Sequence, residues 1–251
     1  MKEINLQQIY EYAEKHISVF HQRRLDYVQN KVELFKILKQ KNPYLFKAKN
    51  ILTAQDLVKG FFDAFLQSQE ETLFGDFIEG LAIFVCDKAY GANKSELTGV
   101  DLEFEKNGVI YVVEIKAGWN WGNSSQIRQL RVNFEKAKKV LRAKTGKKVI
   151  AVNGCCFGRD EKPDKGGYLK LCGQRFWELI SGNEDLYIDI IEPIGYKAKQ
   201  KNEEFLDNYA RIVNKLTLEF SQKFCDDGKI SWSRLVEFNS GVKKIVNKQS
   251  D

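Results

Sequence analysis

Histidine is nearly absent from this sequence: among 251 residues only His16 and His21 carry an imidazole, both in an amino-terminal stretch of helical character. A histidine-based catalytic dyad or metal centre therefore has little to draw on. Cysteine is sparse as well. Cys86, Cys155, Cys156, Cys172 and Cys225 are odd in number and form no CxxC pair, so a zinc ribbon and a disulfide framework are both disfavoured and buried free thiols are expected. No apolar run reaches the roughly eighteen residues of a membrane span, and Met1 to Gln8 lacks the apolar core of a signal peptide. The expectation is a cytoplasmic protein without membrane association. By elimination, chemistry falls to carboxylates.

What the chain does have is enough apolar residue, 43%, to bury a large core, and an uneven distribution of charge. Its net charge is +6, from 40 basic and 34 acidic residues. The segment Ile127 to Lys148 holds nine Lys or Arg against the single acid Glu135, a local +8 that leaves the remainder at −2. Concentrated basic charge suits a polyanion-binding face. On charge alone, a solvated helix face fits equally well.

The hydrophobic periodicity changes along the chain. From Ile4 to about Gln40 apolar residues recur at helical spacing, which predicts one long helix or two, either packed on their own domain or forming a dimer element. A second helix is predicted over Glu71 to Ala89, closing at Tyr90-Gly91. The period then drops to two. Asp101–Glu105 and Val109–Lys116 are strand-like and are separated by Lys106-Asn107-Gly108, where Asn-Gly is a strong hairpin signal. After a loop rich in Trp, Gly, Asn and Ser, a helix is predicted from about Gln126, with Ser124 or Ser125 as its N-cap. Lys147–Val152 and Leu186–Ile191 are predicted strands, and Asn202–Phe224 a last long helix. Gly154–Gly182 is Gly-rich and basic, read either as a surface loop with a short helix or as a segment reaching a DNA groove.

If Asn107-Gly108 is a two-residue turn, Lys106 faces Val109, and counting outward puts Asp101 directly opposite Glu114, with Lys116 on the same face. Directly opposed side chains lie about 4.5 to 5.5 Å apart at Cβ, where two carboxylates repel unless a cation intervenes. Such a set suits Mg²⁺, an oxygen-seeking ion that keeps several waters and accepts a phosphate oxygen, with the lysine placed to orient water. The chemistry this supports is phosphodiester hydrolysis. The alternative is a charged, solubilising hairpin. A register shift of one residue would dissolve the set.

The pattern Gly99-Val100-Asp101, followed thirteen residues later by Glu114-Ile115-Lys116, resembles the PD-(D/E)XK nuclease superfamily, with Val100 where the name has proline. The order helix, hairpin, helix, strand is similar to its αβββαβ core, with one strand unassigned. The run from Thr98 through Gln126, and on to Arg142, resembles the EcoO-type restriction endonucleases, dimeric enzymes that cut RGGNCCY sites. The resemblance implies an α/β (α+β) restriction-endonuclease-like core, a mixed central sheet flanked by helices, within residues 61–251. Residues 1–60 are then an amino-terminal helical extension and a candidate dimerisation element. It implies metal binding by Asp101 and Glu114, with Lys116 assisting the attacking water. A further acid comes from the preceding helix in many members; Glu79 is the candidate here, ahead of Glu71 and Asp76. Asn120, Asn123, Ser124, Ser125 and Gln126 would lie beside the scissile phosphate, with Trp119 and Trp121 either there or packing, and Arg128, Arg131 and Lys138 on the DNA backbone. The implied activity is Mg²⁺-dependent cleavage of double-stranded DNA by a homodimer at a short palindrome or interrupted palindrome with a GGNCC-like core. A structure-selective repair or recombination nuclease and a non-catalytic DNA-binding module are the alternatives.

Overall fold

The computed structural model describes residues 5–242, so Ile4, where the first helix was expected to begin, lies outside the described residues. In chain order the elements are α1 (Leu6–Asn30), α2 (Leu34–Gln40), α3 (Pro43–Ala48), α4 (Ala54–Tyr90), β1 (Asn93–Lys94), β2 (Leu102–Lys106), β3 (Val109–Gly118), α5 (Ser124–Thr145), β4 (Lys148–Phe157), β5 (Leu169–Cys172), α6 (Gln174–Ser181), α7 (Leu186–Asp189), α8 (Ile191–Ile194), α9 (Ala198–Phe224), β6 (Cys225–Asp226), β7 (Lys229–Ile230) and α10 (Trp232–Ser240). They form two compact units. One holds the described residues up to Phe20 together with Leu73–Tyr196; the other holds His21–Thr72 and the described residues from Lys197 onward. The units interleave in sequence.

The first unit is built on a five-stranded mixed sheet of order β1-β2-β3-β4-β5. Asn107 and Gly108 both adopt positive φ, 53° and 77°, as a two-residue turn of the hairpin hand requires, and Lys106 pairs with Val109 as expected. The chain then crosses over through α5, so β4 lies parallel to β3, and β5 continues parallel to β4. A β4 buried along most of its length explains its near-continuous apolar run. On one face Leu102, Phe104, Val113, Ile115 and Val152 pack with Ile9, Ala13 and Ile17 of α1, with Phe77, Leu81 and Val85 of α4, and with Phe176, Trp177 and Ile180 of α6. On the other, Ile110, Val112, Val149 and Ala151 pack against Leu130, Phe134, Ala137 and Leu141 of α5. The strand left unassigned in the sequence is the short β1. In the Gly154–Gly182 segment, expected as a loop with a short helix, Gly154 to Phe157 belong to β4, β5 adds a further strand, and α6 is the short helix.

Two expectations fail here. Leu186–Ile191 is helical, not a strand: Leu186 and Ile190 are buried at helical spacing while Ile188 is half exposed. A short apolar run looks the same for either state. The cap of α5 is Asn123, not a serine; its side chain accepts from the N–H groups of Ser125 and Gln126, and the Gln126 side chain returns the bond to the Asn123 N–H.

The second unit has its own core, in which Val28, Ile37 and Leu38 meet Leu57, Phe61, Phe62 and Phe65 of α4, and Val213, Leu216 and Phe220 of α9. Four of the five cysteines are buried and all are free. Among the described residues no helix is long and apolar enough to cross a membrane.

Candidate active site

Glu114 and Lys116 share the sheet face of Ile110 and Val112, the face covered by α5, because strand side chains alternate. They lie where that cover ends. The Lys116 ammonium is 2.6 Å from Glu114 Oε1, with the carboxylate 13% and the lysine 32% exposed. A second contact holds the ammonium: it lies 4.8 Å from the centroid of the Trp121 ring, in the loop between β3 and α5. The indole N–H of Trp121 donates to Asn153 Oδ1 at 2.9 Å, and Asn153 is the register partner of Glu114 on β4.

Asp101 departs from the expected geometry. The β2–β3 ladder ends at Leu102 opposite Val113, so Asp101 is not an in-register partner of Glu114. Its backbone N–H donates to Val113 O at 2.8 Å, and its carboxylate Oδ2 accepts the N–H of Ile115 at 2.6 Å. A short acceptor side chain has taken a backbone donor that another strand residue would otherwise satisfy. The carboxylate is thereby anchored between Glu114 and Lys116 in sequence, at the β3 edge.

Glu79, from α4, joins the same electrostatic neighbourhood. Burial holds its carboxyl above the usual range, the Asp101 charge raises it further, Lys94 and Lys116 pull it back, and Asp76 adds a smaller push. Glu71 and Asp76, the weaker candidates, are exposed. Lys94 on β1 had no motif to mark it in the sequence, and neither had Asn153.

Among the described residues no three or more His, Cys, Asp or Glu side chains form a ready metal cage. A hard cation that uses one or two carboxylates, water and substrate phosphate does not require one. Asp101 and Glu114 offer only oxygen donors, and they lie with Lys116 at one end of β3, so this donor set fits a divalent ion of that kind. The 590 Å³ cavity beside Arg159, Gln174 and Arg175 contains none of these residues.

A comparison with protein families decides the assignment. The model described as Type II restriction endonuclease EcoO109I matches residues 7–202, well over half of the chain. The chain belongs to the EcoO109I family of type II restriction endonucleases. No curated protein matches it. Membership makes it a site-specific DNA endonuclease, in a class that generally uses divalent metal ions, and accords with the mixed sheet flanked by helices.

As a member of this family it has a DNA substrate, and the residues expected to contact DNA separate into two groups. Asn120 and Ser124 are exposed, and Arg128 and Arg131 line a shallow depression of 480 Å³ with Gly122, Asn123, Ser124 and Ile127. Arg131 also donates to Lys165 O at 3.2 Å. The side chains of Asn123 and Gln126 are taken up by the α5 cap, and the Ser125 hydroxyl donates to Asn123 at 2.6 Å. Lys138 faces inward instead of toward solvent. It is 7% exposed, and its ammonium donates to Gly167 O at 2.8 Å and pairs with Glu135 at 2.5 Å, a correction to its reading as a backbone contact.

Proposed function

We propose that this endonuclease is a Mg²⁺-dependent homodimer that cuts double-stranded DNA at a short palindrome or interrupted palindrome with a GGNCC-like core, and that it acts in the cytoplasm to restrict foreign DNA. The observation that carries the reading is the gathering of Asp101, Glu114 and Lys116 at one end of β3, with Glu79 electrostatically coupled to them.

Asp101 and Glu114 would hold the ion, with Glu79 as a further acid. Bound there, Mg²⁺ supplies Lewis-acid chemistry, acidifying nearby water and offsetting charge that builds on the scissile phosphate. Lys116, with three donors on one ammonium, orients the attacking water and stabilises the same charge. The water oxygen bonds to phosphorus, giving up a proton to solvent, as a P–O ester bond breaks and the leaving sugar oxygen takes up a proton to depart as a hydroxyl. Arg128 and Arg131, with Asn120 and Ser124, hold the backbone in register. A two-fold DNA site matches a two-fold protein. The helices within residues 1–60 are the proposed dimer element; there Tyr44 and Leu45 of α3 and Leu52 in the loop before α4 are 62%, 50% and 73% exposed.

The test is incubation of the native protein and its Lys116→Ala variant with unmethylated plasmid or phage DNA, in Mg²⁺ or EDTA. Discrete fragments that need Mg²⁺ and disappear in the variant are expected, and sequencing the cut ends gives the site. Cleavage unaffected by EDTA, or by loss of Lys116, overturns the catalytic assignment. Ends that map to a site without a GGNCC-like core overturn the specificity alone.

A further inference from the structure

Asn153 sits in the apolar run of β4, between Val152 at 0% exposure and Gly154, and is itself 1% exposed. Burying an amide is costly unless its hydrogen bonds are made. Both ends of this one are engaged. Oδ1 accepts from the Trp121 indole at 2.9 Å, and Nδ2 donates to Glu114 O at 3.3 Å. An indole N–H only donates, so the amide orientation follows from its partners.

The bond fixes more than Asn153. Trp121 lies in an irregular loop and is half-buried against the core between the sheet and α5, and the Asn153 bond fixes the N–H edge of its ring. The ring face meets the Lys116 ammonium, 4.8 Å from the ring centroid, and tryptophan is the ring that attracts a cation best. Lysine otherwise swings on a flexible four-carbon stem. Glu114 holds the ammonium by one contact and the ring by another.

We propose that Trp121 and Asn153 are positioning residues for this nuclease: Asn153 clamps the indole, and the indole face holds the Lys116 ammonium where the scissile phosphate must sit. The proposal rests on the catalytic role given to Lys116 above. Neither residue touches the phosphate. Each acts through the lysine, so its loss slows chemistry and leaves DNA binding in place.

The test measures single-turnover cleavage and binding of a duplex carrying a site mapped from the native enzyme's own fragments, with binding read in EDTA. Trp121→Leu is expected to slow cleavage by about tenfold or more while the duplex Kd stays within about twofold. Trp121→Phe keeps a ring but loses the N–H that Asn153 clamps, and is expected to cut at a rate between those of Trp121→Leu and the native protein. The double variant Trp121→Leu/Lys116→Ala should be no slower than Lys116→Ala alone, because the indole has nothing left to position. A native rate in Trp121→Leu, or a loss that multiplies in full with that of Lys116→Ala, overturns the proposal. If Lys116→Ala itself cuts at the native rate, the catalytic reading fails first, and this is visible without any tryptophan variant. A readout independent of cleavage is the NMR shift of the Lys116 ε-methylene. It should lie upfield under the ring and return to its ordinary position in Trp121→Leu and in Asn153→Leu. An unshifted ε-methylene in the native protein also overturns the proposal.

Discussion

Asp101 holds the backbone N–H of Ile115 at 2.6 Å through its carboxylate, so one side chain both ends the β2–β3 ladder and presents a negative charge beside Glu114 and Lys116. The two roles can be separated. Asp101→Asn keeps an oxygen acceptor for Ile115 and removes the charge; Asp101→Ala removes both. Cleavage is expected to fall by about a thousandfold or more in each, because charge stabilisation at a reacting phosphate is the larger effect. Stability should divide them. Asp101→Ala should cost about 1.5 to 3 kcal/mol, the usual worth of a hydrogen bond to a charged group, and Asp101→Asn about half of that or less. Urea midpoints beside cleavage rates check both parts, and equal stability in the two variants would show that the Ile115 contact contributes little.

Arg128 and Lys138 belong to the same basic helix and should behave oppositely. Arg128 is exposed beside the 480 Å³ depression at the start of α5; Lys138 is buried, with its ammonium bound to Gly167 O and Glu135. Arg128→Ala should weaken DNA binding and lower the slope of log Kd against log salt by about one, with little change in Tm. Lys138→Ala should leave that slope unchanged and destabilise the fold by about 1 to 3 kcal/mol, since Gly167 O loses its donor and the stem leaves a void. A salt titration and a melting curve on each variant decide it. A reduced salt slope for Lys138→Ala would return it to the DNA-facing set.

The same pair shows where sequence reading stops. Nine basic residues in one helix are countable, but which of them point inward depends on the loop of residues 158–168 that supplies Gly167 O to Lys138. The hairpin was legible because Asn107-Gly108 is local chemistry, and α5 because its apolar stripe meets a sheet face. Only the second half of α4 was legible: the polar run Gln67 to Thr72 separates two apolar stretches that belong to different units. Glu79 and the β3 pair could be named from spacing and resemblance. Asn153 could not, because one amide in an apolar strand looks like noise until its partners are seen.

Asp160 gives a pH test of stability away from the cluster. Burial alone would raise its carboxyl, but the hydrogen bond from Lys165, the backbone N–H of Lys162 and the charges of Lys165 and Lys170 outweigh it and hold the group below the usual range. A carboxyl with a depressed folded-state pKa adds stability above its unfolded value, near 3.9 or so, and that contribution is lost as pH falls through the folded value. Asp160→Asn should therefore be less stable than the native protein at pH 7, and the gap should close as the pH drops below about 4. Paired urea midpoints across that range check the sign. A gap that is constant with pH would mean that the carboxylate charge is not what holds the loop.

The cap of α5 is the last place where one side chain is asked to serve two ends. Phosphate binding at a helix start uses free backbone N–H groups, yet here the N–H groups of Ser125 and Gln126 already donate to Asn123, and that of Asn123 to Gln126. The same donors cannot be filled by the cap and open to phosphate. Asn123→Ala should therefore cost about 1 kcal/mol of stability, as losing an N-cap usually does, and leave DNA affinity at fixed salt within about twofold once measured well below its Tm, since no phosphate contact is lost. Asn123→Asp should retain the cap, because a carboxylate accepts the same two bonds and complements the positive helix end. Gln126→Ala combined with Asn123→Ala should cost less than the sum of the two, because the bonds are reciprocal. Thermal melts and duplex binding of these four variants are sufficient. If Asn123→Ala melts at the native temperature and binds DNA at least tenfold more weakly, the side chain is a DNA contact and the cap is incidental.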